Sequence, residues 1–304
     1  MTTAPAGGVL DRLAGAPISW GVCEVPGWGT MLPRERVLKE MRDLGLRASE
    51  LGALGYLGDE PEAIAAVLAR HRLSAVGGFV PLVLHDPASR AGALSAAERA
   101  ARLIAGAGGS YFVTAAVVDA GWSTPFELDE RGWEELEHGL LEVEGVCADH
   151  GLVQVLHAHV GTLVERAAHI ERLVERSEVR FCLDTGHFAI GGADPVAFAA
   201  EHSARVGLVH LKDVDLSLAP EVISHERSLL DATQAGLFRA LGRGSVDVGG
   251  VVRGLESAGY AGWYVLEQDT TIPEAEAASA DPAAEVRVSI DYLARLAPGT
   301  GRIR

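Results

Sequence analysis

Basic residues are scarce in this chain of 304 residues, with 26 Lys and Arg against 42 Asp and Glu and a formal net charge of −16. A groove for nucleic acid needs a surplus of cations, so that class of partner is excluded, and an anionic membrane surface is equally disfavoured. Long apolar runs are missing too. None approaches the roughly 20 residues of a membrane helix, and the start MTTAPAGGVLDRLAG has neither the basic head nor the apolar core of a signal peptide. Cysteine is rare. Cys23, Cys147 and Cys182 are far apart, odd in number and unlike any zinc spacing, so they read as reduced, mostly buried thiols of a cytoplasmic protein. No low-complexity linker divides the chain.

What is present is one unit repeated. Strand-like runs occur at PISWGVC (17–23), LRASEL (46–51), LSAVGGFV (73–80), SYFVTAAVV (110–118), LVQVLH (152–157), EVRFCLD (178–184), RVGLVHLK (205–212) and GWYVLEQ (262–268). Most are continuously apolar, as parallel strands covered on both faces must be. Amphipathic stretches separate them: 33–45, 61–71, 96–108 and 133–151, the first and last ending on the capping glycines Gly45 and Gly151. Dividing length by a typical domain suggests two domains, but barrels of this kind run to this size as one. Eight strand–helix units predict a single (β/α)8 TIM barrel over 1–304, the barrel proper spanning about 16–297 between short tails. The long segment 213–248 is expected to carry an active-site loop and a helix, and 273–297 a final helix. GRGSVDVGG (242–250) lacks the strand–turn–helix setting of a phosphate loop.

Chemistry in such barrels sits at the C-terminal strand ends. Polar residues gather there: Glu50 on strand 2, His157 and His159 on strand 5, Asp184 and then His187 on strand 6, His210 and Lys212 on strand 7, and Glu267, Gln268 and Asp269 on strand 8. The period of two keeps 157 with 159, and 210 with 212, on one face. A set of His157, Asp184, His210 and Glu267, one from each of four successive strands, suits a divalent metal: Mn2+ or Co2+ first, then Zn2+, Fe2+ or Mg2+. His159 is the alternative strand 5 ligand. Taken singly, each has a plainer reading: a hydrogen-bonded structural histidine, a helix N-cap at Asp184, a rim salt bridge at Glu267. Four buried charges at one barrel end need pairing or coordination. His85, Trp20 and Trp28 are candidates for lining the mouth, the tryptophans as an apolar wall. His71, His138, His150, His169 and His202 fall on outer helices as surface residues.

The segments ISWGVCEVPGWG (18–29), GLRASELGALGYLG (45–58), HAHVGT (157–162), LDTGHFAIGGADP (183–195), VHLKDV (209–214) and GWYVLEQD (262–269) resemble those of the xylose-isomerase-like sugar isomerase/epimerase barrels, and within them the inosose dehydratases. The likeness covers nearly the whole chain. It implies a metal-dependent lyase acting on a polyhydroxy ketone such as 2-keto-myo-inositol, a small-molecule partner, and a homodimer or homotetramer. His159 and His187 would exchange protons, Lys212 would hold a substrate oxygen, and Glu50 would bind hydroxyls. Two departures stand out. VLEQD carries one glutamate where the family's strand 8 brings two, and the segment after strand 4 is short. Ketose epimerases in the superfamily carry a ligating glutamate at the end of strand 5, where this chain has His157, and inversion at carbon needs a base on each side. The substitution favours elimination; an isomerase or epimerase, and a sugar-binding barrel without turnover, are the alternatives.

Overall fold

The structure, a computed structural model, describes residues 4–23 and 25–296; the tail beyond lies outside them. Eight parallel strand positions form a ring. They are β1 (Leu13–Gly15), β2 (Ala48–Ser49), β3 (Ser74–Ala75 and Gly77–Leu82), β4 (Tyr111–Ala116), β5 (Val153–His157), β6 (Phe181–Asp184), β7 (Val206–Leu211) and β8 (Tyr264–Leu266). The two segments of β3 pair with β2 on one side and β4 on the other. The ring closes through Val76 between them: its N–H donates to Ser49 O at 3.0 Å, and its carbonyl accepts from Ser110 N at 2.8 Å. The outer layer is led by α1 (Arg34–Asp43), α2 (Pro61–Arg70), α3 (Arg90–Gly106), α4 (Glu130–Asp149) and α5 (Ala167–Arg176). It is completed by α7 (Pro195–Glu201), α10 (Val248–Ser257) and α11 (Pro282–Leu296), while α6 (Thr185–Ile190), α8 (Ala219–Ile223) and α9 (Leu229–Gln234) lie at the C-terminal strand ends. Gly45 and Gly151 do turn left-handed after α1 and α4, at φ 86° and 68°.

The first strand lies earlier than expected. Residues 17–20 are a 3-10 turn, not a strand: Pro17 opens it, and Gly21 ends it in the left-handed region at φ 77°. The barrel therefore begins at Leu13, before residue 16, and Arg12 anchors its foot by donating to the carbonyls of Tyr260 and Gly262 at 2.8 and 3.1 Å. The final helix is shorter than expected, starting at Pro282. Within 213–248 the chain forms an antiparallel pair, Asp213–Val214 with Phe238–Arg239, bracketing α8 and α9. This lid is seated through an apolar cluster in which its Val222, Leu237 and Phe238 meet Val160 and Ile190 of the barrel. The glycine-rich 242–246 run serves the structure, since Gly242, Gly244 and Val246 point their N–H groups at the Asp213 carboxylate, at 2.9, 2.9 and 3.0 Å.

Two cores matter for the site. The larger lies between sheet and helices. The smaller fills the barrel with Ala14, Ala48, Val113, Val155, Cys182, Leu208, Trp263 and Val265 among others, and each fully buried Val or Leu contributes about 1.5–3 kcal/mol. Stepping up two residues from that apolar tier, Val155 leads to His157, Cys182 to Asp184, Leu208 to His210, and Val265 to Glu267. The same inward alternation that packs the barrel floor thus delivers the charged tier above it.

Candidate metal centre

A cavity of about 400 Å³ opens at the C-terminal strand ends. Glu50, His157, His159, His210, Glu267 and Asp269 face it, with Ile18, Trp28, Phe79 and Trp122 among its apolar lining. One donor atom from each of His157, Asp184, His210 and Glu267 lies within 4.8 Å of every other. Asp184 shows why its two sequence readings are compatible. Its Oδ1 caps α6, accepting from Gly186 and His187 N–H at 2.9 and 2.8 Å. Its Oδ2 is buried and accepts no hydrogen bond, facing His157 Nε2 at 3.4 Å and His210 Nδ1 at 3.7 Å. Leaving such an oxygen bare costs free energy, and two imidazoles with two carboxylates converging there are the donor set of a divalent transition metal. The residues fit one.

The charges around this point hold one another ionised. Both nitrogens of His210 face carboxylates, Nδ1 at 2.8 Å from Glu267 Oε2 and Nε2 at 3.0 Å from Glu50 Oε1. Burial opposes its charge, but Cys182, Glu267 and Glu50 outweigh that and hold its pKa well above the usual imidazole range. Burial likewise pulls Asp184 upward, yet Lys212 and His157 leave it at about 2. Lys212 is fully buried, its Nζ 2.8 Å from Glu267, 2.9 Å from Asp269 and 3.4 Å from Asp184. The expectation that Lys212 touches substrate needs correction: it does not line the cavity, because those three carboxylates hold its ammonium in the wall.

His159 lines the cavity, and its Nδ1 lies 2.7 Å from the Val160 carbonyl. A carbonyl only accepts, so Nδ1 carries the hydrogen and Nε2 keeps its lone pair. Burial, His157 and Lys212 push this imidazole down to about 3, so it stays neutral. His187 sits behind it, rings 3.8 Å apart and Nε2 3.0 Å from Lys212 Nζ. It does not line the cavity either, since its place in α6 points it under His159.

Three further expectations are revised. Trp20 is wholly buried and turned toward α1, where its N–H donates to Glu40 at 2.7 Å; only Trp28 reaches the cavity. His85 lies three residues past the end of β3 and packs edge-on against Phe126 instead. His169 is buried rather than on the surface: its Nδ1 accepts from Glu165 and Arg166 N–H at the start of α5. Residues that the sequence leaves unassigned also appear. Phe79 and Trp122 stack 6.1 Å apart beside His159, and Trp122 holds a left-handed backbone at φ 56°. His225 of the lid lines the cavity, bound to the buried Glu165 at 3.0 Å. Asp269, a strand-end residue to which the sequence gives no role, is held at about 6, where burial and Glu267 raise it against Lys212.

The chain is similar to an inosose dehydratase of Geobacillus kaustophilus (strain HTA426), 29% identical over 300 residues and covering 94% of each chain. It is similar to rhizopine catabolism protein MocC of Rhizobium meliloti, 29% identical over 299 residues, covering 95% of this chain and 90% of the relative. Among solved structures, that of IOLI protein with a binding zinc atom shares the fold at a TM-score of 0.70 and 12% identity, over 94% of this chain and 97% of that one. Residues 38–296 match the model of the xylose isomerase-like TIM barrel. With the ring of eight strands and the mouth they build, this places the chain in that family: it is a xylose isomerase-like TIM barrel protein.

Proposed function

We propose that this protein is a metal-dependent hydro-lyase that removes water from a cyclic polyhydroxy ketone, with 2-keto-myo-inositol as the substrate to which its inosose dehydratase relatives point. One observation carries the choice of reaction: the end of β5 offers the cavity His157 and a neutral His159, and no carboxylate. A divalent ion held by His157, Asp184, His210 and Glu267, with Mn2+ or Co2+ the first to test, would supply Lewis-acid charge for the ketone oxygen and a neighbouring hydroxyl. His159 Nε2 takes the proton from the carbon beside the ketone, and that electron pair moves toward the ketone oxygen. The hydroxyl on the next carbon then departs as water, its proton returned by the imidazolium just formed. Acid–base work of this kind contributes about 10²–10⁴ in rate. Lys212 keeps Asp184 and Glu267 ionised, and Phe79 with Trp122 shields His159 from water. Glu50 keeps one carboxylate oxygen on His210 and faces the cavity, where substrate hydroxyls would lie. We place the enzyme in the cytoplasm as a homodimer or homotetramer.

Proton relocation without loss of water has one observation in its favour: Glu50 and Glu267 are both cavity carboxylates. Both, however, are engaged on His210, which leaves neither free as a base. The test is metal analysis of the purified protein, followed by an ultraviolet assay for the conjugated hydroxy-enone, the enol tautomer of a 1,2-dione, formed from 2-keto-myo-inositol. Metal-loaded protein that returns the ketone intact, or yields only an epimer by NMR, would sink the dehydratase reading.

A further inference from the structure

Cys182 stands directly below Asp184 on β6, two residues earlier and on the same inward face, and is wholly buried. Its backbone pairs in register with His157. Its sulfur and one ring nitrogen from each of His157 and His210 lie within 4.8 Å of one another. The floor around it is made of side chains such as Ala14, Val155, Leu208 and Val265, which offer no polar atom. His157 Nδ1 is buried in the same tier without a hydrogen-bond partner. The mechanism above uses neither the thiol nor that nitrogen.

We propose that Cys182 is a fifth, soft donor of this centre. It shares His157 and His210 with the upper carboxylates and tilts the site toward borderline and thiophilic ions (Co2+, Zn2+, Cd2+) over Mg2+ and Mn2+. The inference rests on the metal-dependent reading and deepens it. Thiolate selects soft ions, imidazole suits zinc and its neighbours, and carboxylate suits the hard ones. At the end of β5 this chain offers nitrogen in place of a carboxylate, and one step below a strand neighbour it offers sulfur. Coordination exchanges the S–H bond for a sulfur–metal bond, and the proton leaves to solvent. The two tiers share their histidines, so an ion drawn down to sulfur is drawn away from Asp184 and Glu267. The ions held most tightly should therefore support the least turnover.

The test uses the full chain stripped by chelator and loaded with Co2+. The wild type should show an intense near-ultraviolet sulfur-to-cobalt charge-transfer band beside the weaker visible cobalt bands. Cys182→Ser should lose the first and keep the second, and Cys182→Ala guards against a serine oxygen standing in. By competition with a chromophoric chelator, Cd2+ affinity should fall at least about tenfold in both variants, while Mn2+ affinity stays within about twofold. A wild-type cobalt protein with visible bands and no near-ultraviolet band overturns the proposal, as does Cd2+ affinity unchanged by either variant. No substrate enters these measurements, so their failure is distinct from failure of the dehydration assay; absence of any cobalt spectrum would overturn the metal centre itself.

Discussion

The two halves of the barrel mouth are built from different chemistry. Strands β5 to β8 end in His157, Asp184, His210, Lys212 and Glu267, whereas β1 to β4 and the turns after them, among the described residues, line the cavity with one charged residue, Glu50, beside Ala16, Ile18, Phe79 and Trp122. A ring-shaped polyol has the same division: a rim of hydroxyls and a face of C–H bonds. The charged half can hold oxygen and move protons; the apolar half can only exclude water and present a flat wall. Strain also collects here. Two of the three non-glycine residues with positive φ among the described residues, Trp122 and His225, line the cavity, and such backbone persists only where its surroundings over-determine it. Asp119 does this for Trp122 by accepting from Gly121 and Ser123 N–H on either side.

Changes in the charged half should cost most. Asp184→Ala or Glu267→Ala should abolish bound metal and turnover together, with the barrel still folded by circular dichroism. Full metal occupancy and turnover in both variants would show that the ligand tier is misassigned. His159→Ala should keep its metal and lose about 10²–10⁴ in kcat; a metal-bound variant with near-parent kcat puts the base elsewhere.

Lys212→Met comes next. Removing one partner from a buried charge cluster costs about 3–5 kcal/mol, so urea unfolding in chelator should shift by an amount of that order, with turnover at least about tenfold lower. An unshifted midpoint would mean that Asp269 and its neighbours simply take up protons. His157→Glu sharpens the contrast between elimination and inversion. It should bind metal, lose most dehydration, and exchange the proton beside the ketone with solvent deuterium by NMR. Dehydration at the parent rate would move the choice of reaction to the loops.

The apolar half should give the smallest effect. Trp122→Gly relieves about 1–2 kcal/mol of left-handed strain while giving up the stack on Phe79, so stability should change little. KM for a cyclic substrate should rise several-fold with kcat nearly unchanged. An equal fall in kcat would instead place Trp122 in control of His159.

The charged half is also the legible half. His157, Asp184, His210 and Glu267 sit at the ends of continuous apolar runs that read as strands, and once a strand is placed its geometric period of two gives side-chain direction from spacing alone. The apolar half is made by turns, where no period exists. Trp122 depends on a turn that Asp119 braces, and the His225 side chain is held by a Glu165 contact that joins residues far apart in sequence. β1 escapes the pattern for a related reason: Leu13–Gly15 is a strand of three small or medium residues, while the more apolar PISWGVC beside it is turned by Pro17 and Gly21. Spacing puts Lys212 on the correct face but does not show what holds it, because burial among three carboxylates is a property of two other segments, the ends of β6 and β8.

The lid leaves the barrel at Asp213–Val214 and returns at Phe238–Arg239, two strands paired edge to edge. Its ends are therefore about 4.8 Å apart, clamped by the backbone amides gathered on Asp213. A segment with so narrow a footing can lengthen, shorten or be exchanged at little entropic cost, since closure entropy grows only slowly with length, so that about twenty residues can be rewritten between two fixed posts. New substrates can thus be acquired without disturbing a single proton-handling group, and libraries confined to 216–236 are where altered specificity should be sought.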